Sequence, residues 1–138
     1  MRCQDVMDEH PVWCLPEDSA AKVARLMRHE HTVSIPVITD EQVRELIGVV
    51  SDRDLALKVL GESRDPDRTT AFDVMTRVVV ACREDDDVMS AKSAMEEHQI
   101  RRVPVIDRRG RLVGLISDDD VTVPAPPVMR EVPRRWAA

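Results

Sequence analysis

The sequence predicts a mixed α/β (α+β) fold made of two copies of one β-α-β-β-α unit, and three observations predict it. Asp5-Val6-Met7 recurs as Asp73-Val74-Met75, Cys14 as Cys82, Met27 as Met95 and Ile35-Pro36-Val37-Ile38 as Val103-Pro104-Val105-Ile106, each 68 positions on. Self-similarity of this kind marks a duplicated structural unit. Gly48-Val49-Val50-Ser51-Asp52-Arg53-Asp54-Leu55 then recurs as Gly114-Leu115-Ile116-Ser117-Asp118-Asp119-Asp120-Val121, 66 positions on, so the first copy carries two extra residues in the turn TDEQVREL. Surface turns absorb such insertions. Third, each copy joins β-branched runs to one stretch with helical spacing of apolar residues.

Taken in order, the first copy begins with a leading strand at Val12 to Cys14. Asp18-Ser19 offers an N-cap, and Ala20, Val23, Ala24 and Met27 follow the helical period as far as His29-Glu30-His31. Ile35 to Ile38 and Leu46 to Val50 form a hairpin across a polar turn. Beyond Ser51, the segment DRDLALKVL has no breaker before Gly61, which predicts a second helix ending on a glycine C-cap. The second copy repeats this with a strand at Val80 to Cys82, a helix opened by Asp86 or Asp87 carrying Val88, Ala91 and Met95, and a hairpin at Val103 to Ile106 and Leu112 to Ile116 around Asp107-Arg108-Arg109-Gly110. Its closing helix is expected to be a turn at most, because Pro124, Pro126 and Pro127 follow and proline costs about 3 kcal/mol inside a helix. The expected units are therefore residues 1–69, 70–123 and a proline-rich tail, 124–138, that Trp136 anchors to an apolar patch.

Composition narrows the function classes. With 20 basic and 26 acidic residues the net charge is −6, so the overall field repels nucleic acid and anionic membrane. Trp13, Phe72 and Trp136 are the only aromatics, too few for a base-stacking platform, so a ligand ring must rest on aliphatic side chains. There is no apolar run of membrane-spanning length and no secretory pattern in MRCQDVMDEH, and the three cysteines lack C-x-x-C spacing. The expectation is a cytoplasmic protein with buried thiols. Four glycines, with no phosphate loop, nucleophile elbow or H-E-x-x-H, argue against an enzyme.

The duplicated pieces h-P-V-h (Ile35 to Ile38, Val103 to Ile106) and G-h-h-S-x-x-D (Gly48 to Asp54, Gly114 to Asp120) resemble tandem cystathionine-β-synthase (CBS) motifs, the pair called a Bateman module. The resemblance runs from Asp5 to Val121, and MEEHQIRRVPVI at Met95 to Ile106 is similar to stand-alone bacterial proteins of the hypoxic-response type. It implies a pseudo-two-fold sandwich, sheets packed together and helices outside, with two clefts that bind an adenosine-containing ligand such as AMP, ADP or ATP. It further implies a homodimer, a possible protein partner, and a sensor rather than a catalyst.

Carried onto this chain, Ser51 and Arg53 are the candidate phosphate ligands at a helix N-terminus, and Asp54 the ribose ligand. Read structurally, Ser51 and Asp54 are a capping box. Ser117 and Asp120 repeat the pattern, but Asp119 replaces the arginine, so the two clefts are expected to differ. Arg101 or Arg102 is expected to compensate, only one of them facing the cleft because successive strand residues point to opposite faces; a solvated pair beside Glu96 and Glu97 is the alternative. Ile35 and Pro36, or Val103 and Pro104, with the leading strands, are expected to hold the base, and Trp13 to cover it or plug the cleft. Two rival readings stand beside this one. One is a thiol or metal sensor using Cys14 and Cys82 or the four histidines, against which His29 and His31 read as helix-end residues and no metal is expected. The other is a ligand-free interaction module.

Overall fold

In the computed structural model, which describes residues 1–121, 130–133 and 135, the two copies fold into matching halves. Trp136 and the prolines Pro124, Pro126 and Pro127 lie outside the described residues. The order is α1 (Cys3–Val6), α2 (Ala20–Glu30), β1 (Ser34–Ile38), β2 (Leu46–Ser51), α3 (Asp52–Leu55) with a π-helical continuation over Ala56–Leu60, α4 (Ala71–Val74), β3 (Cys82–Arg83), α5 (Val88–His98), β4 (Arg102–Ile106), β5 (Leu112–Ser117) and α6 (Asp118–Val121).

Ser19 and Asp87 cap α2 and α5 by accepting the N–H of Lys22 and of Met89, and each helix stops on a left-handed residue, His31 (φ 52°) or Gln99 (φ 53°). Ala20, Val23 and Met27 of α2 and Ala91 and Met95 of α5 are buried, whereas Ala24, expected on the same stripe, is exposed. Val23 and Met27 pack in one core with Ile35, Val37 and Val50. Burying side chains of this size stabilises by about 1.5–3 kcal/mol each.

The hairpins are superposable in register. β1 pairs antiparallel with β2 from Ser34↔Ser51 to Ile38↔Leu46, and β4 with β5 from Arg102↔Ser117 to Ile106↔Leu112, with the same irregularity after Val37 and Val105. The leading strands differ in length: β3 pairs parallel with β4, while Cys14 makes a single parallel bridge to Val37. Both turns place a left-handed residue at the equivalent point, Arg44 (φ 62°) and Gly110 (φ 78°). The turns then pair with each other, Leu46 N–H to Gly110 O and Leu112 N–H to Arg44 O, around the bridge Glu45↔Arg111. That bridge joins equivalent residues of the two copies, so it lies on the pseudo-dyad.

The short helices that precede the copies are exchanged. Cys3 of α1 is buried in the second core with Val103, Val105 and Ile116, and Ala71 and Val74 of α4 in the first core with Ile35 and Val37. Asp8 bridges to Leu115 and Thr76 to Val49. The exchange explains two glycines. A Cβ on Gly48 would lie 2.6 Å from the sulfur of Met75, and one on Gly114 would collide with that of Met7, so each copy's glycine leaves room for the methionine introducing the other.

The expected helix after Ser51 forms, but its end is not the expected one. The chain widens into a π turn closed by Gly61 N–H on Ala56 O, and Gly61 itself is right-handed (φ −64°). A Cβ there would sit 2.7 Å from the Leu57 carbonyl oxygen, so crowding rather than a left-handed cap requires glycine, and Ser63 (φ 54°) takes the left-handed position.

Candidate ligand-binding clefts

Strand alternation divides each hairpin between a helix-covered core and a shared interior. Ile35, Val37 and Val50 of the first copy and Val103, Val105 and Ile116 of the second face their cores. Their neighbours Ser34, Pro36, Val49 and Ser51, with Arg102, Pro104 and Leu115 from the other sheet, line one cleft of about 190 Å³. Val78, Val79, Val80 and Ile100 complete its apolar wall, and Asp54 and Thr76 its polar end. A second cleft, about 290 Å³, is lined by the equivalents around Ser117 and Asp120, namely Asp8, His10, Val12, Glu30, Arg102 and Leu115.

At the first corner, Ser51 and Asp54 form the capping box: Ser51 Oγ accepts the Asp54 N–H at 3.1 Å, and Asp54 Oδ2 accepts the Ser51 N–H at 2.9 Å. The same carboxylate accepts the Ser51 hydroxyl at 3.0 Å, the Thr76 hydroxyl at 3.1 and 3.2 Å, and the Lys58 ammonium at 2.8 Å. Burial works against its charge, but the bonds from Lys58, Ser51 and Thr76 outweigh it and hold the carboxyl below the usual carboxylate value. Lys58 reaches this point because the helical spacing i, i+4 places it beside Asp54, and it also donates to Val74 O at 2.9 Å.

At the second corner Asp120 accepts the N–H and hydroxyl of Ser117 at 2.8 and 3.0 Å and is exposed. Where the first corner has Thr76, this one has Asp8, a second carboxylate. The clefts differ as expected, and for a reason beyond Asp119.

The first-turn N–H groups expected to receive phosphate are occupied. Asp52 N–H donates to Val33 O, Arg53 N–H to the Asp52 carboxylate and Asp54 N–H to Ser51 Oγ. Arg53 is exposed and is not among the residues lining either cleft. The arginine that does line them is Arg102. Arg101 turns outward to a surface depression with Lys92, Glu96 and Asp118, as alternation requires. Pro36 and Pro104 line the first cleft, while Ile35 and Val103 are fully buried behind them.

Trp13 does neither of the things expected of it. It points away between Val12, which lines the second cleft, and buried Cys14, and lies under the Arg44 guanidinium, 5.8 Å from the ring centroid. The residues missed by sequence reasoning include Thr76, Lys58, Val49, Leu115 and the Val78–Val79 segment of the first cleft, and Asp8 and Glu30 of the second. Alternation outward from Gly48 and Gly114 would have found Val49 and Leu115, but nothing local brings Thr76 to Asp54.

The thiols are embedded. Burial pushes Cys14 up to about 12 and Cys3 to about 11, and it also raises Cys82, which sits beside Cys3 rather than opposite Cys14. Thiolates, the reactive and metal-binding form, are thereby disfavoured. Among the described residues no three metal-ligating side chains converge, and His31 closes α2 as its left-handed residue.

The CBS domain family model matches residues 3–61 and 71–123. An uncharacterised protein of Methanopyrus kandleri is 36% identical over 77% of this chain, which spans about half (53%) of that protein's length. Hypoxic response protein 1 of Mycobacterium tuberculosis is 31% identical over 86% of this chain and 80% of its own. Among solved structures, Hypoxic Response Protein I with two coordinated zinc ions superposes with a TM-score of 0.79 at 28% identity, covering 91% of this chain and 100% of that one. The CBS domain pair of MJ0100, in complex with 5′-methylthioadenosine and S-adenosyl-L-methionine, gives 0.72 at 26% identity, over 88% and 92%. The repeat, the exchanged helices and the paired clefts are thus those of a tandem CBS pair, and the chain belongs to the CBS domain family.

Proposed function

We propose that this chain is a regulatory module, not a catalyst, that binds an adenine nucleotide in the cleft between its two CBS domains. The observation that carries the reading is the polarity of that cleft: Pro36, Val49, Val78 to Val80, Pro104 and Leu115 form an apolar slot, and Ser51, Asp54, Thr76 and Arg102 are among its few polar lining groups. An apolar wall with a few convergent polar groups is how small-ligand sites are built. The base lies between the two prolines, on surfaces that Ile35 and Val103 support from behind. Asp54 takes the ribose by exchanging the Thr76 hydroxyl for a sugar hydroxyl, one O–H donor for another. Of the basic candidates Arg53, Arg101 and Arg102, it is Arg102 that takes the phosphate. Ser117 and Asp120 are the corresponding groups of the second cleft. The adenosine-type ligands of the MJ0100 pair support this assignment. The homodimer and the cytoplasmic setting belong to the same reading: Leu57 and Leu60, 56% and 77% exposed on the π turn, are apolar surface that a second copy would cover. No helix among the described residues is long and apolar enough to cross a membrane.

The experiment is a thermal-shift panel of adenosine, AMP, ADP, ATP, NAD and S-adenosylmethionine. A ligand at a hundredfold excess over its Kd stabilises the fold by about 2.7 kcal/mol, a shift of several degrees. A shift with an adenine nucleotide is expected; none with any compound overturns the reading. The other reading, a ligand-free interaction module, rests on the saturation of Asp54 by groups of its own chain, and it is the one that a silent panel would leave standing.

A further inference from the structure

One side chain belongs to both clefts. Arg102 pairs with Ser117 across the second hairpin, so its backbone lies in the wall of the second cleft, yet it also lines the first beside Ser34 and Ser51. Its counterpart in the first copy, paired with Ser51 in the same register, is Ser34, which carries no charge. The duplication has therefore left one guanidinium between two ligand sites.

That guanidinium is lightly held. One terminal nitrogen makes a long hydrogen bond, 3.5 Å, to the His31 carbonyl, and among the described residues no carboxylate lies within ion-pair distance of the group. The other cations are committed or outside the clefts: Lys58 is bound to Asp54 and Val74 O, Arg53 lines neither cleft, and Arg101 is exposed and lines only the surface depressions beside them. The first-turn N–H groups of α3 are already bonded. The second cleft, without Arg102, presents Asp8, Glu30 and Asp120 with His10 as its remaining basic group.

We propose that Arg102 is the shared phosphate ligand of both clefts, so that a phosphorylated ligand seated in one withdraws the charge the other needs and the two sites bind phosphorylated ligands with negative coupling. The inference rests on the nucleotide reading above. An unphosphorylated nucleoside does not call on Arg102 and is not coupled in this way. Reciprocity follows from linkage: whichever cleft fills first weakens the other by the same factor.

The test is calorimetric titration of the full chain with AMP and, separately, with adenosine, on the wild type, Arg102→Ser and Ser34→Arg. Arg102→Ser installs the residue that the first copy already holds at this strand position, and Ser34→Arg gives the first cleft a guanidinium of its own. Loss of a charge-assisted contact is worth about tenfold in affinity. The expected result is that Arg102→Ser lowers the ratio of AMP to adenosine affinity about tenfold at the first binding step and leaves the second step unchanged, since that step already proceeds without the guanidinium. Ser34→Arg is expected to strengthen the second AMP step about tenfold relative to adenosine, by releasing Arg102. An equal fall at both steps or no fall at the first step in Arg102→Ser, or an unchanged second AMP step in Ser34→Arg, overturns the sharing while leaving nucleotide binding intact. Absence of any heat with both AMP and adenosine overturns the sharing together with the nucleotide reading.

Discussion

The two Ser-x-x-Asp corners share their local chemistry and differ in what stands behind it. In both, a serine at the end of a strand donates its N–H and its hydroxyl to the carboxylate of an aspartate three residues on, and at the first corner the Asp54 N–H returns a bond to Ser51 Oγ. Behind Asp54 stand Lys58 and Thr76, and the carboxylate is 6% exposed; behind Asp120 stands Asp8, and the carboxylate is open to solvent. Duplication copied the turn but not its surroundings. The pair teaches that a capping box fixes a helix start, whereas the long-range groups that reach it determine whether the same aspartate is a structural anchor or an open ligand.

Three measurements break or sharpen that contrast. The largest effect is expected from removing the carboxylates. Asp54→Ala strands Lys58 and Thr76 and should cost about 2 kcal/mol in urea unfolding, against about 0.5–1 kcal/mol for Asp120→Ala, which loses only a cap. Equal costs would erase the distinction. Next come the groups behind the corners: Thr76→Val should cost about 1 kcal/mol, and Asp8→Thr, which hands Asp120 the hydroxyl its twin has, should add about 0.5 kcal/mol. A loss of stability in Asp8→Thr would show that the acidic partner is not what sets the second corner apart.

The smallest effect concerns acid. Because the folded Asp54 carboxyl sits below its unfolded value, the unfolded chain binds more protons in that interval. The stabilisation is complete above the ordinary carboxylate value of 3.8 and is lost as pH falls through the depressed one. Asp54→Asn should flatten the acid limb of a stability-versus-pH curve, leaving the contributions of Asp73 and Asp107, which are depressed by Thr70 and by Arg111 with Arg109 respectively. An unchanged limb would mean that the carboxylate is not held as the bond lengths indicate.

Local signals were strong where one segment decides the outcome. Ser19 and Asp87 were readable as caps, the β-branched runs as hairpins, and the alternation of Arg101 and Arg102 as opposed faces, because each depends on neighbours a few residues away. The end of α3 was misread for an equally physical reason: glycine serves both left-handed caps and crowded carbonyls, and sequence does not distinguish Gly61's use. Arg53 sits in the motif, but α3 leaves it exposed to solvent. Ile35 and Val103 were grouped with their prolines, although alternation assigns adjacent strand residues to different layers.

By itself the sequence determined the duplication, the two long helices and the two hairpins, since these follow from short-range periodicity and from matching one copy to the other. Only the tertiary structure decided that the leading helices are exchanged between halves, that Thr76 meets Asp54, that Met7 and Met75 each lie over the other copy's glycine, and that Arg102 stands between two clefts. Such contacts join residues tens of positions apart, and no local propensity encodes them; they arise when two surfaces, each complete in its own periodicity, are pressed together about a common axis.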